Sequence, residues 1–317
     1  MRFQPEGPAI HVRGLCRSYG EVRAVRDVSF EVERGEVFCL LGPNGAGKTT
    51  TVEILEGYRE RSGGQVSVLG FDPARGERGM RERVGIVLQQ CGVQQDLSVA
   101  ELLEMYGRYH LHPRPIDEVL ELVELGAKRD ERIGELSGGQ RRRLDLALAL
   151  IGDPELVFLD EPTTGFDPAA RHAAWSTIRS LCELGKTVFL TTHFMDEAQQ
   201  LADRVAIMRD GEIIALGSPD ELGGRDARAA EIRFALPAQT GLDELPLMPY
   251  ERCVIDRGRA LVVTHDPVVA LQLLTGWAID HDLALAHLSV SQPTLEDIYL
   301  ELTGPAGQPR VREEAIA

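Results

Sequence analysis

The sequence predicts an α/β fold: a mainly parallel sheet with an inserted helical subdomain, followed by a small α+β C-terminal domain. Three observations carry this. Short apolar runs at Leu156–Asp160, Thr187–Thr191 and Arg204–Met208 alternate with helical stretches, as strands do when crossover helices cover both faces of a sheet. From Val99 to about Leu150 the apolar spacing becomes helical, which marks an insertion between strands. Beyond Gly224 a second, shorter set of strands and helices begins. With 317 residues, 43% of them hydrophobic, the chain has enough material for a large core and a smaller one. The expected divisions are residues 1–224 with helical subdomain at about 95–152, then 225–303, then a loose tail at 304–317.

The elements follow in order. Residues 9–41 are expected as strands and turns ending in the apolar run Glu36–Leu41, which feeds a glycine loop. A helix is expected from Gly47 to about Glu56, a turn at Ser62-Gly63-Gly64, a strand at Gln65–Leu69, and another at Val84–Leu88 ending at Gln89. Leu102, Leu103, Tyr106 and Tyr109 share one helix by spacing, and Val119, Leu120, Val123 and Leu125 the next. Ser137 is placed to cap a helix over Arg141–Leu150. Ser218–Leu222 opens a short capped helix that Gly223-Gly224 breaks. In the last unit strands are expected at Glu231–Leu236, Cys253–Asp256, Ala260–Thr264 and Leu283–Val290, with a hairpin turn at Arg257-Gly258. A helix runs from Pro267 to about Ile279, and Pro293 opens a last one to about Leu302.

A formal charge of −16 argues against a broad nucleic-acid surface, with Lys48 and Arg141-Arg142-Arg143 as local basic exceptions. Five scattered cysteines without a CxxC pair suggest neither a disulfide framework nor zinc, and a reducing cytoplasm is expected. The first residues lack the apolar run of a signal peptide, and no stretch of roughly 18 apolar residues suggests a spanning helix. Any membrane role is then expected to come through a partner chain.

The chemistry is concentrated in short motifs. In Gly42-Pro43-Asn44-Gly45-Ala46-Gly47-Lys48-Thr49 the glycines let consecutive backbone N–H groups converge on phosphates. Lys48 and the helix start add positive potential, and Thr49 offers a hydroxyl to Mg²⁺. The preceding apolar strand favours this over an ordinary Gly-rich turn. Asp160 and Glu161 end a buried strand, where one carboxylate can serve Mg²⁺ and the other accept a proton from water. Alone, they fit a solvated acidic turn equally well. Leu136-Ser137-Gly138-Gly139-Gln140 precedes a helix and is either a plain cap or a grip on a γ-phosphate through exposed N–H groups. His193 ends an apolar strand, a place where a lone histidine is more often structural. The other seven histidines have no metal-like spacing.

Taken together and in this order, the motifs resemble the nucleotide-binding subunit of an ATP-binding-cassette (ABC) transporter, a P-loop NTPase, over about Ala9–Leu222. The resemblance implies that Gly42–Thr49 is the Walker A loop, with Thr50 counted among the nucleotide contacts. Gln89 is then the Q-loop glutamine and a Mg²⁺ ligand with Thr49 and Asp160, and Leu136–Gln140 is the signature. Leu156–Glu161 is Walker B with Glu161 as general base. Thr163–Asp167 is the D-loop, Asp167 among the nucleotide contacts, and His193 is the switch histidine. Tyr19 falls where the family stacks an aromatic on adenine. Phe166 departs from the more usual leucine, and tolerated packing is expected there.

In that family two subunits pack head to tail around ATP and Mg²⁺. The resemblance therefore implies an ATP hydrolase that forms a homodimer and serves a separate polytopic membrane permease, peripheral to the cytoplasmic face of the membrane, with no nucleic acid. Pro293–Gly304 is similar to the C-terminal extension of drug-exporter ATPases of the daunorubicin-resistance kind. That points to export and to a dimerising or regulatory role for the last unit. A soluble ABC switch on nucleic acid or ribosomes is disfavoured by the negative charge and the single cassette; an importer ATPase is the third alternative.

Overall fold

The computed structural model describes residues 7–87, 95–222, 229–237, 241–292 and 294–303. The chain divides into two compact units, Met1–Pro219 and Asp220–Ala317.

The first unit opens with β1 (Ile10–Tyr19), β2 (Val22–Val32), β3 (Val37–Leu41), α1 (Lys48–Leu55), β4 (Gly63–Val68), α2 (Arg78–Arg81) and β5 (Val84–Val87). The helices α3 (Val99–Gly107), α4 (Ile116–Leu122) and α5 (Gly138–Leu150) then interrupt the sheet order. The chain returns through β6 (Leu156–Asp160), α6 (Pro168–Glu183), β7 (Thr187–Thr192), α7 (Met195–Leu201), β8 (Arg204–Arg209) and β9 (Glu212–Gly217).

Two sheets result: an antiparallel one of order β2-β1-β4, and a six-stranded one of order β5-β6-β7-β3-β8-β9. Only the β8–β9 pairing in the second is antiparallel. Its inner strands are buried on both faces, Val37–Leu41 along their whole length, which is why they read as continuous apolar runs rather than alternating ones. Stacked rings join the sheets: Phe30 of β2 lies 5.2 Å from Phe38 of β3, and Phe38 lies 5.5 Å from Phe189 of β7. Such pairs add to their area burial through quadrupole alignment.

This strand order positions the motifs. β3, β6 and β7 are neighbours and parallel, with Leu41 opposite Thr192 and Asp160 opposite Thr191. The glycine loop, the acidic pair and His193 therefore leave the sheet side by side at its carboxyl edge, where ligands of open α/β sheets bind. The inserted helices follow their capping signals: α3 starts at a Ser98–Glu101 capping box and α5 at a Ser137–Gln140 box.

In the second unit β10 (Ala230–Ala235), β11 (Arg252–Asp256), β12 (Arg259–Thr264) and β13 (Ala286–Ser291) form an antiparallel sheet of order β11-β12-β10-β13. The helices α8 (Pro267–Asp280) and α9 (Leu295–Thr303) complete it. Ile232, Phe234, Val262, Ala270 and Leu274 form its core. Arg257 and Gly258 both have positive φ, 46° and 78°, as a two-residue type I′ hairpin requires.

Four expectations shift. Tyr109 is not on α3, which ends at the C-cap Arg108, and the tyrosine is 74% exposed. Val123 and Leu125 lie past the end of α4 yet are buried, because the following turn folds back beneath it: Leu125 N–H donates to the Leu120 carbonyl. The strand expected from Leu283 starts at Ala286, because Leu283 N–H closes onto the Ala278 carbonyl behind α8 and Asp282 is left-handed at φ 53°. Asp220–Leu222 forms a turn rather than an extended helix. The expected break at Gly223-Gly224, the strand end at Leu88, and Gln89, Pro293 and the tail lie outside the described residues.

Candidate functional site

The glycine loop follows β3 directly. Gly45 and Gly47 have φ of 82° and 105°, values that side-chain-bearing residues rarely adopt. A Cβ on Gly47 would lie 2.5 Å from the Ala24 carbonyl oxygen, and one on Gly42 would lie 2.3 Å from that of Met208. A glycine is therefore required at both on packing alone. Pro43, Asn44 and Gly45 are exposed at the crest, Ala46 is buried beneath it, and Thr49 and Thr50 lie on the first turn of α1 with Thr49 exposed.

Lys48 is folded back into the loop. Its side chain is 4% exposed, and Nζ donates to the carbonyls of Gly42 at 2.8 Å and Pro43 at 3.2 Å. Glu161 Oε1 lies 3.6 Å from that ammonium and 3.4 Å from His193 Nδ1. His193 Nδ1 is buried and makes no aligned hydrogen bond. Glu161 Oε2 accepts from Thr164 Oγ1 at 3.0 Å. The backbone of Glu161 is left-handed at φ 46°, and its N–H donates to the Thr191 carbonyl and hydroxyl. A non-glycine residue held in that region is strained, which turns the Glu161 carboxylate out of the strand.

The electrostatics match an anion site missing its anion. Desolvation lowers the pKa of Lys48, and Glu161 partly offsets it. Burial raises the pKa of Asp160, and the neighbouring Glu161 and Glu53 add to the rise, although the Thr191 hydroxyl donates to its Oδ1. Glu56, the C-cap of α1, is pushed up to about 8 by burial and then by Asp160 and Glu53. A divalent cation suits this donor set: the excess carboxylate charge calls for a positive partner, and Mg²⁺ typically takes one or two carboxylates plus substrate phosphates. Among the described residues no cluster of three or more His, Cys, Asp or Glu forms a self-sufficient metal cage.

Glu56 gives a pH prediction. Its folded pKa exceeds the ordinary 4.5, so its contribution to stability is complete below about pH 4.5 and is lost as pH rises towards 8. Replacing Glu56 by Gln should leave Tm unchanged near pH 4.5. It should raise Tm increasingly towards pH 8, by an amount equivalent to a few kcal/mol at most at ~1.4 kcal/mol per pKa unit. Thermal melts of both proteins without nucleotide check this.

The signature residues lie on α5. Ser137 Oγ accepts from Gln140 N–H at 3.3 Å and Gln140 Oε1 from Ser137 N–H at 2.9 Å. These bonds close on each other, not on the Lys48 cluster. A Cβ on Gly138 or Gly139 would meet nothing within 4 Å, so the helix start is open to a ligand. Ser137, Gly139 and Gln140 also border a mostly apolar cavity of about 280 Å³ shared with Pro162, Phe166 and α6, which gives the Phe166 ring room. Asp167 caps α6 through Ala170 N–H. Tyr19 ends β1 and is 37% exposed, with the guanidinium groups of Arg17 and Arg59 at 4.6 and 5.4 Å from its ring centre.

Sequence reasoning missed Thr164, Thr191 and Glu197, which hold Glu161, Asp160 and the loop after Glu161. The threonines flank the acidic pair and His193 in the chain; Glu197 left no signal beyond its place four residues after His193.

A family model described as "ABC transporter" matches residues 25–164, and one for the C-terminal domain of ABC transporter domain-containing protein-like sequences matches residues 230–294. The chain is 41% identical over 302 residues to the Nod factor export ATP-binding protein I of Rhizobium sp. (strain N33), covering 93% of this chain and 97% of that protein. It is 44% identical to the protein of that name from Burkholderia lata over 93% of this chain and 97% of the relative. It is 38% identical to the daunorubicin resistance ATP-binding protein DrrA3 of Streptomyces coeruleorubidus over 97% of this chain and 99% of the relative. Among solved structures it is similar to the ADP conformation of MJ1267, an ATP-binding cassette, with a TM-score of 0.62 and 25% identity over 68% of this chain and 92% of that one. It is likewise similar to cbiO1 from Clostridium perfringens, with a TM-score of 0.62 and 28% identity over 68% of this chain and 90% of that one.

Proposed function

The chain belongs to the ATP-binding, ATP-hydrolysing subunits of exporter-type ABC transporters, and from that premise we propose that two copies close around two nucleotides to drive a separate membrane permease. The exporter reading fits the names of the relatives better than an importer or a nucleic-acid switch. No described helix is long and apolar enough to cross a membrane, so the chain is assigned a peripheral place on the cytoplasmic face. One observation carries the catalytic reading: a single carboxylate oxygen, Glu161 Oε1, faces both the Lys48 ammonium and the His193 ring.

Glu161 takes the proton from the attacking water. Lys48 and the loop amides at Gly45–Thr49 stabilise the charge on the transferring phosphoryl group. His193 orients water and the γ-phosphate, Tyr19 stacks on adenine, and Asp167 adjoins the nucleotide across the dimer. Thr49, Gln89 and Asp160 would hold Mg²⁺, which when bound neutralises phosphate charge. Ser137–Gln140 grips the γ-phosphate bound by the other copy. The second unit, residues 225–303, acts as an accessory domain with a dimerising or regulatory role.

Sedimentation tests the shared site. With Mg-ATP, Glu161→Gln protein should form an ATP-dependent dimer, and adding Ser137→Arg should abolish it with both Walker A loops intact. A dimer that survives the second change contradicts the head-to-tail arrangement.

A further inference from the structure

We propose that Glu197 is a positioning residue for hydrolysis, a buried carboxylate that holds the segment carrying Glu161 in register with the segment carrying His193. The inference rests on the roles just given to those two residues. Glu197 is fully buried in the first turn of α7, four residues after His193. Its Oε1 accepts two hydrogen bonds from different parts of the chain. One comes from Thr163 Oγ1 at 2.8 Å, on the loop leaving Glu161; the other comes from Trp175 Nε1 at 3.1 Å, on α6. Oε2 is buried without a hydrogen-bond partner.

Burying a carboxylate this way is costly, and an apolar or amide residue would fill the space at less expense. A charged acceptor strengthens both donor bonds relative to a neutral one, so what the charge adds is a firm link rather than stability.

The consequence follows from chain order. Thr163 is two residues from Glu161 and adjoins Thr164, whose hydroxyl binds the other carboxylate oxygen of Glu161. The same face of α7 is braced by Arg171 of α6, which pairs with Asp196 at 3.1 Å and covers the ring of Phe194 at 4.2 Å. The loop, α6 and α7 are thereby fastened at one point, and the 3.4 Å approach of His193 to Glu161 is set by it. Releasing the link leaves the nucleotide-binding loop untouched and loosens the geometry that the chemical step needs.

The test compares Thr163→Val, which keeps shape and removes the donor, with Thr163→Ser, which restores it. Trp175→Phe serves as an independent way of cutting the second bond. In steady-state ATPase assays on the full chain, Thr163→Val and Trp175→Phe should lower kcat roughly 10- to 100-fold, as misplacement of about 1 Å can. KM and ATP affinity should stay within about twofold, and Thr163→Ser should recover most of kcat. If Thr163→Val fails to fold, Trp175→Phe gives the same reading. Wild-type kcat in either folded variant, or a loss that serine does not recover, overturns the proposal. Glu161→Gln run in parallel separates the two failures: an inactive Glu161→Gln beside an unaffected Thr163→Val sinks only the positioning role, whereas an active Glu161→Gln sinks the reading of the site.

Discussion

Replacing Glu161 by Gln is expected to lower ATP turnover by about 10²- to 10⁴-fold while ATP binding is retained, the usual cost of losing a general base. The amide keeps the shape of the side chain and can still accept from the Thr164 hydroxyl, but it cannot take a proton from water. The 3.6 Å approach to Lys48 and the 3.4 Å approach to His193 place the lost oxygen where γ-phosphate chemistry would occur. Removing this carboxylate also relieves repulsion on Asp160, so Mg-ATP affinity should hold or tighten. Turnover by phosphate release, with affinity by nucleotide fluorescence, checks both halves. Turnover within a few-fold of wild type would remove Glu161 from its assigned role.

Replacing Lys48 by Met should have the opposite signature. The apolar stem still fills the buried site, and the loss falls on charge-assisted bonds to phosphate, worth roughly 1.5–3 kcal/mol, or about 10- to 100-fold in Kd. Desolvation already disfavours the Lys48 ammonium, so melting without nucleotide should change little. Protection against melting by ATP should largely vanish. A variant that binds ATP normally would show that the ammonium, bonded to the Gly42 and Pro43 carbonyls, stays there when nucleotide arrives.

Much of this site was legible because its chemistry is local in the chain. A glycine loop after an apolar strand, two acids at the end of another and a capped Ser-Gly-Gly segment each carry their spacing with them. What brings them together is strand order. That β6, β7 and β3 lie side by side follows from long-range pairing, which apolar runs announce only as buried parallel strands.

The misses have physical reasons as well. Tyr109 kept the helical spacing of Leu102 and Tyr106, but α3 ends at Gly107, before the chain passes through Pro113. The strand expected from Leu283 was delayed by a turn whose left-handed residue is Asp282, not a glycine. Glu197 was illegible because a buried carboxylate is identified by its donors, Thr163 and Trp175, which come from two other segments.

The central claim is that this ATPase works for a membrane permease. The measurement that tests it most directly is affinity capture of Glu161→Gln protein from its native cells with Mg-ATP, with the co-purifying chains identified by mass spectrometry. The account predicts stoichiometric recovery of one polytopic membrane protein. Recovery of ribosomes or nucleic-acid-binding proteins in its place would contradict it.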